Sequence, residues 1–166
     1  TAMIDLGYFI SKSYIQKKLL YVAFLEKFPY ESLASLPIEK YTNLNKSDSF
    51  CYWLERKAKD LGSIAGGSSY KFGIYQYATT PTDAQKFVDF DSIYAWYKKY
   101  HKQTANEAYE LVRDTIIEIA SLARDGKLED IDNITELGDV VKWKIAFIYS
   151  NASLITIYNR QMLAYS

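Results

Sequence analysis

The segment from Thr104 to Gly126 constrains the fold more than any other part of this sequence. Thr104 and Glu107 have the spacing of a capping box, in which two side chains satisfy free backbone N–H groups at a helix start. Apolar residues then recur every three or four positions as far as Ala123, which predicts a helix with one buried face. Gly126 suits the left-handed conformation that commonly ends a helix. The rest of the chain must therefore cover a long apolar stripe.

Other segments of the chain also have helical patterns. The spacing of apolar residues predicts helices from Tyr8 to Phe28 and from Ser49 to Leu61. Pro29 cannot continue the first helix, and Gly62 is expected to end the second. The remaining predicted helices are a short one after Pro37, one from Val140 to Ser150, and one from Asn159 onward.

Aromatic segments with an alternating pattern are predicted as strands. Gly66-Gly67 is a turn signal, which predicts a hairpin that leads into a strand from Tyr70 to Tyr77. Alternation along that strand would place Lys71, Tyr75 and Tyr77 on the face opposite Phe72 and Ile74. A polar loop over residues 78–90 is expected to precede a second strand from Ile93 to Tyr100. A short strand is also predicted from Leu154 to Tyr158.

Together these elements predict an α+β fold, with several helices packed around a small, mostly antiparallel sheet that contains the Gly-Gly hairpin. The chain has 166 residues, which is the length of a single domain spanning 1–166. Thr1-Ala2 ahead of Met3 resembles the remnant of an expression tag, so the expected native start is Met3.

Composition argues against several classes of functional site. The chain has one cysteine, Cys51, and one histidine, His101, so it cannot form an internal disulfide or a Cys/His zinc site of four ligands. The Gly-rich stretch from Gly62 to Gly73 lacks the Gly-Lys-Ser/Thr ending of a nucleotide-binding loop. We therefore predict no cofactor, no metal and no catalytic residues, and expect this chain not to be an enzyme. No apolar run reaches the length of a membrane span, and no signal pattern opens the chain, so a cytoplasmic location is expected.

The net charge of zero conceals an uneven distribution along the chain. Residues 40–102 carry a net charge of +4 and residues 140–166 carry +3, whereas residues 103–139 carry −7. Such a run of acidic residues is usually the solvated face of a helix. The alternative is that the acidic surface lies away from the basic one, which would leave a basic side to bind a polyanion.

Of all the features of the sequence, the aromatic residues interleaved with lysines point most directly to a function. Aromatic residues make up 16% of the chain, including 16 tyrosines, too many for all to be buried. Nucleic-acid sites pair cations that contact phosphates with rings that stack on bases. Trp53 and Trp143 lie on predicted helices and are expected in the core. The predicted nucleic-acid-binding residues are Tyr70, Lys71, Tyr75, Tyr77, Trp96, Lys98 and Lys99, with Lys57 as a further cation.

Two strings of residues resemble a known family. The first part of the resemblance consists of Ser49-Phe-Cys-Tyr-Trp-Leu-Glu55 and Leu61-Gly-Ser-Ile-Ala-Gly-Gly-Ser-Ser-Tyr-Lys-Phe-Gly-Ile-Tyr75, and the second is Val141-Lys-Trp-Lys-Ile-Ala-Phe-Ile-Tyr149. These strings are similar to the N-terminal region of bacterial McrB-type AAA+ proteins. The resemblance implies a DNA-recognition domain, including recognition of modified DNA, in a restriction system of phage defence. It also implies that this chain is a fragment of a longer protein, whose AAA+ motor hydrolyses nucleotide and engages a nuclease subunit.

The leading interpretation is therefore a non-enzymatic DNA-recognition domain of a McrB-like system. The alternative is a protein-interaction or assembly module of an AAA+ ATPase, because tyrosine and tryptophan are also common in protein interfaces. The implied partners are DNA, the motor in the same parent chain, and the nuclease through that motor.

Overall fold

In the computed structural model, helices pack around a three-stranded antiparallel sheet, so the α+β prediction is confirmed. The structure describes residues 2–45, 47–81 and 87–150, with side chains from residue 12 onward. The α-helices are α1 (Ala2–Lys27), α2 (Ile38–Tyr41), α3 (Phe50–Tyr52), α4 (Ala105–Arg124), α5 (Leu128–Asp132) and α6 (Asp139–Tyr149), and the strands are β1 (Ile74–Gln76), β2 (Val88–Phe90) and β3 (Tyr94–Tyr97).

Helix α4 forms as its sequence predicts and organises the core. The Thr104 hydroxyl accepts a hydrogen bond from the Glu107 backbone N–H, while the Glu107 carboxylate accepts one from the N–H of Gln103. The apolar stripe from Ala105 to Ala123 is buried, and it packs chiefly against α6. Gly126 has a positive φ of 72°, as expected for the residue that follows a helix.

The sheet has β3 in its centre, with β1 and β2 on either side. Ile74 pairs with Trp96, and Tyr75 pairs with Ala95. On the other side, Phe90 also pairs with Ala95. Paired residues point to the same face of a sheet, so Ile74 and Trp96 share one face while Tyr75, Ala95 and Phe90 share the other.

The predicted strand from Tyr70 to Tyr77 is wrong over its first half. Ser69–Phe72 form a 3₁₀ turn, which begins where the Ser68 hydroxyl accepts a hydrogen bond from the Tyr70 N–H. Gly73 then adopts a φ of 81°, and only Ile74–Gln76 are extended. Gly66 and Gly67 do have positive φ, as a turn requires, but no strand precedes them. The Gly-Gly turn is therefore confirmed, and the hairpin is not.

Further predictions differ from the structure in their boundaries, and α1 begins at Ala2, six residues before the predicted start at Tyr8. The segment that follows Ser49 is α-helical only to Tyr52, and then continues as a π-helix (Trp53–Lys57) and a 3₁₀ turn (Lys59–Leu61). The second strand ends at Tyr97, and a 3₁₀ turn (Lys98–Tyr100) follows it. Strand β2 lies within the segment that was predicted as a polar loop. The strand and helix predicted beyond residue 150 lie outside the described residues.

Candidate nucleic-acid interface

One face of the sheet carries a cluster of aromatic rings, which we call the tyrosine face and define as Tyr70, Tyr75, Tyr77, Phe90 and Tyr97. Tyr75 and Phe90 flank Ala95 in one row of paired residues, because both pair with it in the register. Tyr77 contacts Phe90 edge to face, with ring centroids 6.4 Å apart. Since the side chain of Ala95 is only a methyl group, the rings of Tyr75 and Phe90 lie on either side of a shallow groove above it.

At one end of the tyrosine face, aromatic rings and a lysine contact one another. The Tyr70 ring lies 4.4 Å from the ring of Tyr97, which in turn lies 5.2 Å from that of Tyr100. The Lys99 ammonium is 5.2 Å from the Tyr97 ring centroid, within the range of a cation–π interaction. Burial, with a smaller contribution from Tyr70, raises the pKa of both Tyr75 and Tyr97. The phenols therefore remain neutral donors and acceptors at neutral pH.

Several rings of this face are accessible to a ligand. Tyr70 is 37% exposed and Phe90 is 39% exposed, while Tyr75 and Tyr77 are half-buried. The Tyr77 hydroxyl donates a hydrogen bond to the Asp91 backbone oxygen, which holds that ring in place. The structure thus brings together three of the predicted residues, Tyr70, Tyr75 and Tyr77, with Lys99 beside them.

Trp96 was predicted as an exposed stacking ring, and this prediction is wrong. It is 2% exposed, on the opposite face of the sheet from Tyr75, and it belongs to the core. Its indole N–H donates to the Lys102 backbone oxygen at 3.1 Å. The ring points inward because Trp96 pairs with Ile74, which faces the core.

Lys71 was predicted as a phosphate contact, but its ammonium already has three partners in the structure. It forms an ion pair with Glu55 and donates hydrogen bonds to the backbone oxygens of Ile64, at 2.6 Å, and Gly66, at 3.0 Å. These contacts anchor the glycine-rich loop against the helical segment that carries Glu55. We therefore assign Lys71 a structural role rather than a contact with phosphate.

Lys98 is exposed and lies beside a different surface from Lys99. It lines a cavity of about 660 Å³ together with Asp89, Asp91, Lys102 and the buried Trp96. Charges of both signs line this cavity, so it is not a simple anion site. The Asp91 carboxylate is also engaged, because it accepts hydrogen bonds at 2.7 Å from two backbone N–H groups of the β2–β3 turn.

The expected separation of acidic and basic surfaces is wrong at one point. The Lys99 ammonium donates to the Thr135 backbone oxygen at 2.8 Å, and the Tyr100 hydroxyl donates to the Glu136 backbone oxygen at 2.6 Å. The basic end of the tyrosine face therefore adjoins the acidic segment instead of facing away from it. Any polyanion bound here would contact few cations.

Two lysines of α6 are buried in the core region, although the sequence gives them the appearance of surface cations. The Lys142 ammonium donates to the backbone oxygens of Ile134 and Asp132 and is 3.2 Å from the Asp139 carboxylate. The Lys144 ammonium donates to the backbone oxygens of Ala58 and Gly62. Lys142 and Lys144 thus hold secondary-structure elements together, and their charges are not available to a ligand.

The cysteine and the possible metal ligands are further candidates for a reactive site among the described residues. Cys51 is buried, and burial raises the pKa of its thiol, which disfavours the thiolate that a nucleophilic cysteine needs. Across residues 2–45, 47–81 and 87–150, no group of three histidine, cysteine or acidic residues is arranged to bind a metal. Within the same ranges, no helix combines the length and apolarity needed to cross a bilayer.

Sequence reasoning missed two members of the tyrosine face. Phe90 was assigned to a polar loop, and Tyr97 was treated only as part of an aromatic-basic string. Val88 and Phe90 alternate with Asp89, and this period of two was the available signal for β2. Tyr97 follows from the same alternation, because it lies two residues after Ala95 on β3.

Comparison with known proteins identifies no relative: no protein-family model, no curated protein and no solved structure matches this chain.

Proposed function

We propose that this domain binds DNA, with unpaired bases stacked on the tyrosine face. The observation that carries the proposal is the cluster of accessible rings, Tyr70, Tyr75 and Tyr77, on one face of the sheet. Every base has a flat face, so such rings bind bases of any sequence. Lys99, at the end of the cluster, is placed to contact a phosphate.

The geometry favours single-stranded DNA over duplex DNA. Bases within a duplex are already stacked on one another and present only their edges in the grooves. Cations near the face are few, because Lys71 is paired with Glu55. With Lys99 as the one phosphate contact at the tyrosine face, the logarithm of affinity would fall with the logarithm of salt concentration with a slope of about −0.7.

The resemblance of residues 49–55, 61–75 and 141–149 to McrB-type proteins supports DNA as the ligand. It extends the proposal to a cytoplasmic restriction system in which this domain recognises DNA, including modified DNA. An AAA+ motor in the same parent chain and a nuclease subunit would then perform the cleavage. The domain itself would be non-enzymatic within that assembly.

The test is a fluorescence anisotropy titration with a labelled single strand and the corresponding duplex, at about 50 and about 200 mM salt. Tyr75→Ala should weaken single-strand binding by about 1–3 kcal/mol for the base that it stacks. Tyr30→Ala is the matched control, because Tyr30 is a half-buried tyrosine packed under Arg124 and away from the sheet. The proposal is wrong if the wild type binds neither the single strand nor the duplex at low salt. It is also wrong if Tyr75→Ala binds the single strand as tightly as the wild type does.

A second candidate function is a protein-interaction module. The observation that favours it is the exposure of Phe87, Phe90 and Ile93 around the β2–β3 turn. Apolar side chains gathered at one site are typical of the core of a protein interface. Loss of assembly in an Ile93→Asp variant of the parent protein, with no DNA binding by the wild type, would favour this function.

A further inference from the structure

We infer that α1 pairs in an antiparallel orientation with α1 of a second copy of this chain. The outer surface of α1 exposes three large apolar side chains, Ile15 at 53%, Leu19 at 64% and Val22 at 40%. They are spaced four and three residues apart, so they form one stripe along the helix. The other side of α1 is already used, since Tyr21 and Phe24 are buried.

Charged residues continue this stripe at both ends. Lys12 precedes Ile15 by three residues, and Glu26 follows Val22 by four, and both side chains are exposed. The stripe from Lys12 to Glu26 therefore has the alternating three-four spacing of a coiled-coil seam. Polar residues at such positions fix the orientation of the paired helices.

The two charges favour a second copy in an antiparallel orientation. A parallel pair would place Lys12 beside Lys12 and Glu26 beside Glu26, and both contacts would be repulsive. An antiparallel pair turns the Lys12 end of each stripe toward the Glu26 end of the other. The surface is thus self-complementary about a two-fold axis near Leu19, as an isologous dimer requires.

The size of the stripe predicts a weak dimer. A standard stable interface buries about 800 Å² on each partner, far more than three partly exposed side chains supply. We therefore expect reversible association at high micromolar concentration, measurable by sedimentation equilibrium over a range of protein concentrations. A chain that stays monomeric over the whole range would overturn the inference, as expected if residues 151–166 or another protein covers the stripe.

The first variant tests the position of the interface. Leu19→Asp places a charge in the centre of the stripe on both copies, and it should weaken association more than a hundredfold. The matched control is Val140→Asp, because Val140 is 60% exposed in the first turn of α6, whereas the ring contacts of α6 with α1 come from Phe147 and Tyr149 in its last turn. Both variants change exposed side chains, so thermal melts should show both folded. Dimerisation of Leu19→Asp at wild-type strength would place the interface elsewhere.

The second set of variants tests the orientation. Lys12→Glu alone and Glu26→Lys alone should each weaken association by roughly five- to tenfold, because each creates two like-charge contacts in the dimer. The double variant, which exchanges the two charges, should restore wild-type association. If the double variant is as weak as the single variants, or if neither single variant weakens the dimer, the antiparallel pairing is wrong.

Discussion

Replacement of Lys144 by Met should change how the stability of this protein depends on pH. Lys144 lies on α6 and is 6% exposed, and its ammonium donates to the backbone oxygens of Ala58 and Gly62. Burial lowers the pKa of this group from 10.5 to about 8, while Asp60 acts weakly in the opposite direction. Methionine has a similar length and keeps much of the packing, but it cannot titrate.

The sign and size of the effect follow from the two pKa values. In the unfolded chain Lys144 loses its proton near pH 10.5, and in the folded protein it does so near pH 8. Between these values the unfolded state holds more protons, so the free energy of unfolding rises with pH. For this group alone, the rise between about pH 7 and about pH 9 is about 1.3 kcal/mol. The cost of burying the charge is fully present below pH 8 and is relieved above it.

The assay is urea unfolding of the wild type and Lys144→Met at several pH values in that range. The difference between the two free energies isolates Lys144, because the buried tyrosines titrate alike in both proteins. Lys127→Met, which changes an exposed lysine, is the control and should leave the pH dependence unaltered. A wild-type-minus-variant difference that stays flat from about pH 7 to about pH 9 would refute the reasoning. It would mean that the two carbonyl contacts and Asp60 offset the burial of the charge.

Three further predictions concern stability and can be measured by thermal or urea unfolding. Gly73→Ala should destabilise the protein by about 2–4 kcal/mol, because φ is 81° there and a Cβ would lie 2.5 Å from the Tyr100 hydroxyl oxygen. Gly66→Ala is the control, because a Cβ at Gly66 meets open space and its cost is that of the positive φ alone. Lys71→Met should cost about 3 kcal/mol, and more than Glu55→Gln, because only the lysine change leaves two backbone oxygens without their donor; equal costs would contradict this. Thr104→Ala should cost about 1 kcal/mol and Thr104→Ser much less, since serine retains the capping hydroxyl.

The helices could be predicted wherever local signals agreed with the packing. The segment from Thr104 to Gly126 has a cap, a regular stripe and a terminating glycine, and it forms the predicted helix. The segment after Ser49 has the same kind of stripe, yet it widens into a π-helix and tightens into a 3₁₀ turn. Lys144 contacts its last carbonyls from α6, and periodicity contains no information about such distant partners.

The candidate site could be predicted only in part. Alternation correctly grouped Tyr75 with Tyr77, because the chain stays paired with β3 one residue past β1, where the Tyr77 N–H donates to the Ile93 oxygen. Trp96 was wrongly predicted to be exposed, because the sequence pattern of an aromatic residue near a lysine is the same in a core strand and at a binding surface. Its face was decided by pairing with Ile74, a residue more than twenty positions away in the chain. Lys71 was misjudged because its ion-pair partner, Glu55, lies on a different element.

The sequence by itself determined the fold class, the cap and buried stripe of α4, and the glycine turns, because these depend on residues within a few positions of one another. Only the tertiary structure decided which tyrosines share a face and which lysines are available to a ligand. Those outcomes depend on pairing register and on partners such as Glu55 for Lys71 or Thr135 for Lys99. A lysine can extend into water or bury its ammonium against backbone oxygens, and the neighbours that the fold supplies decide between them.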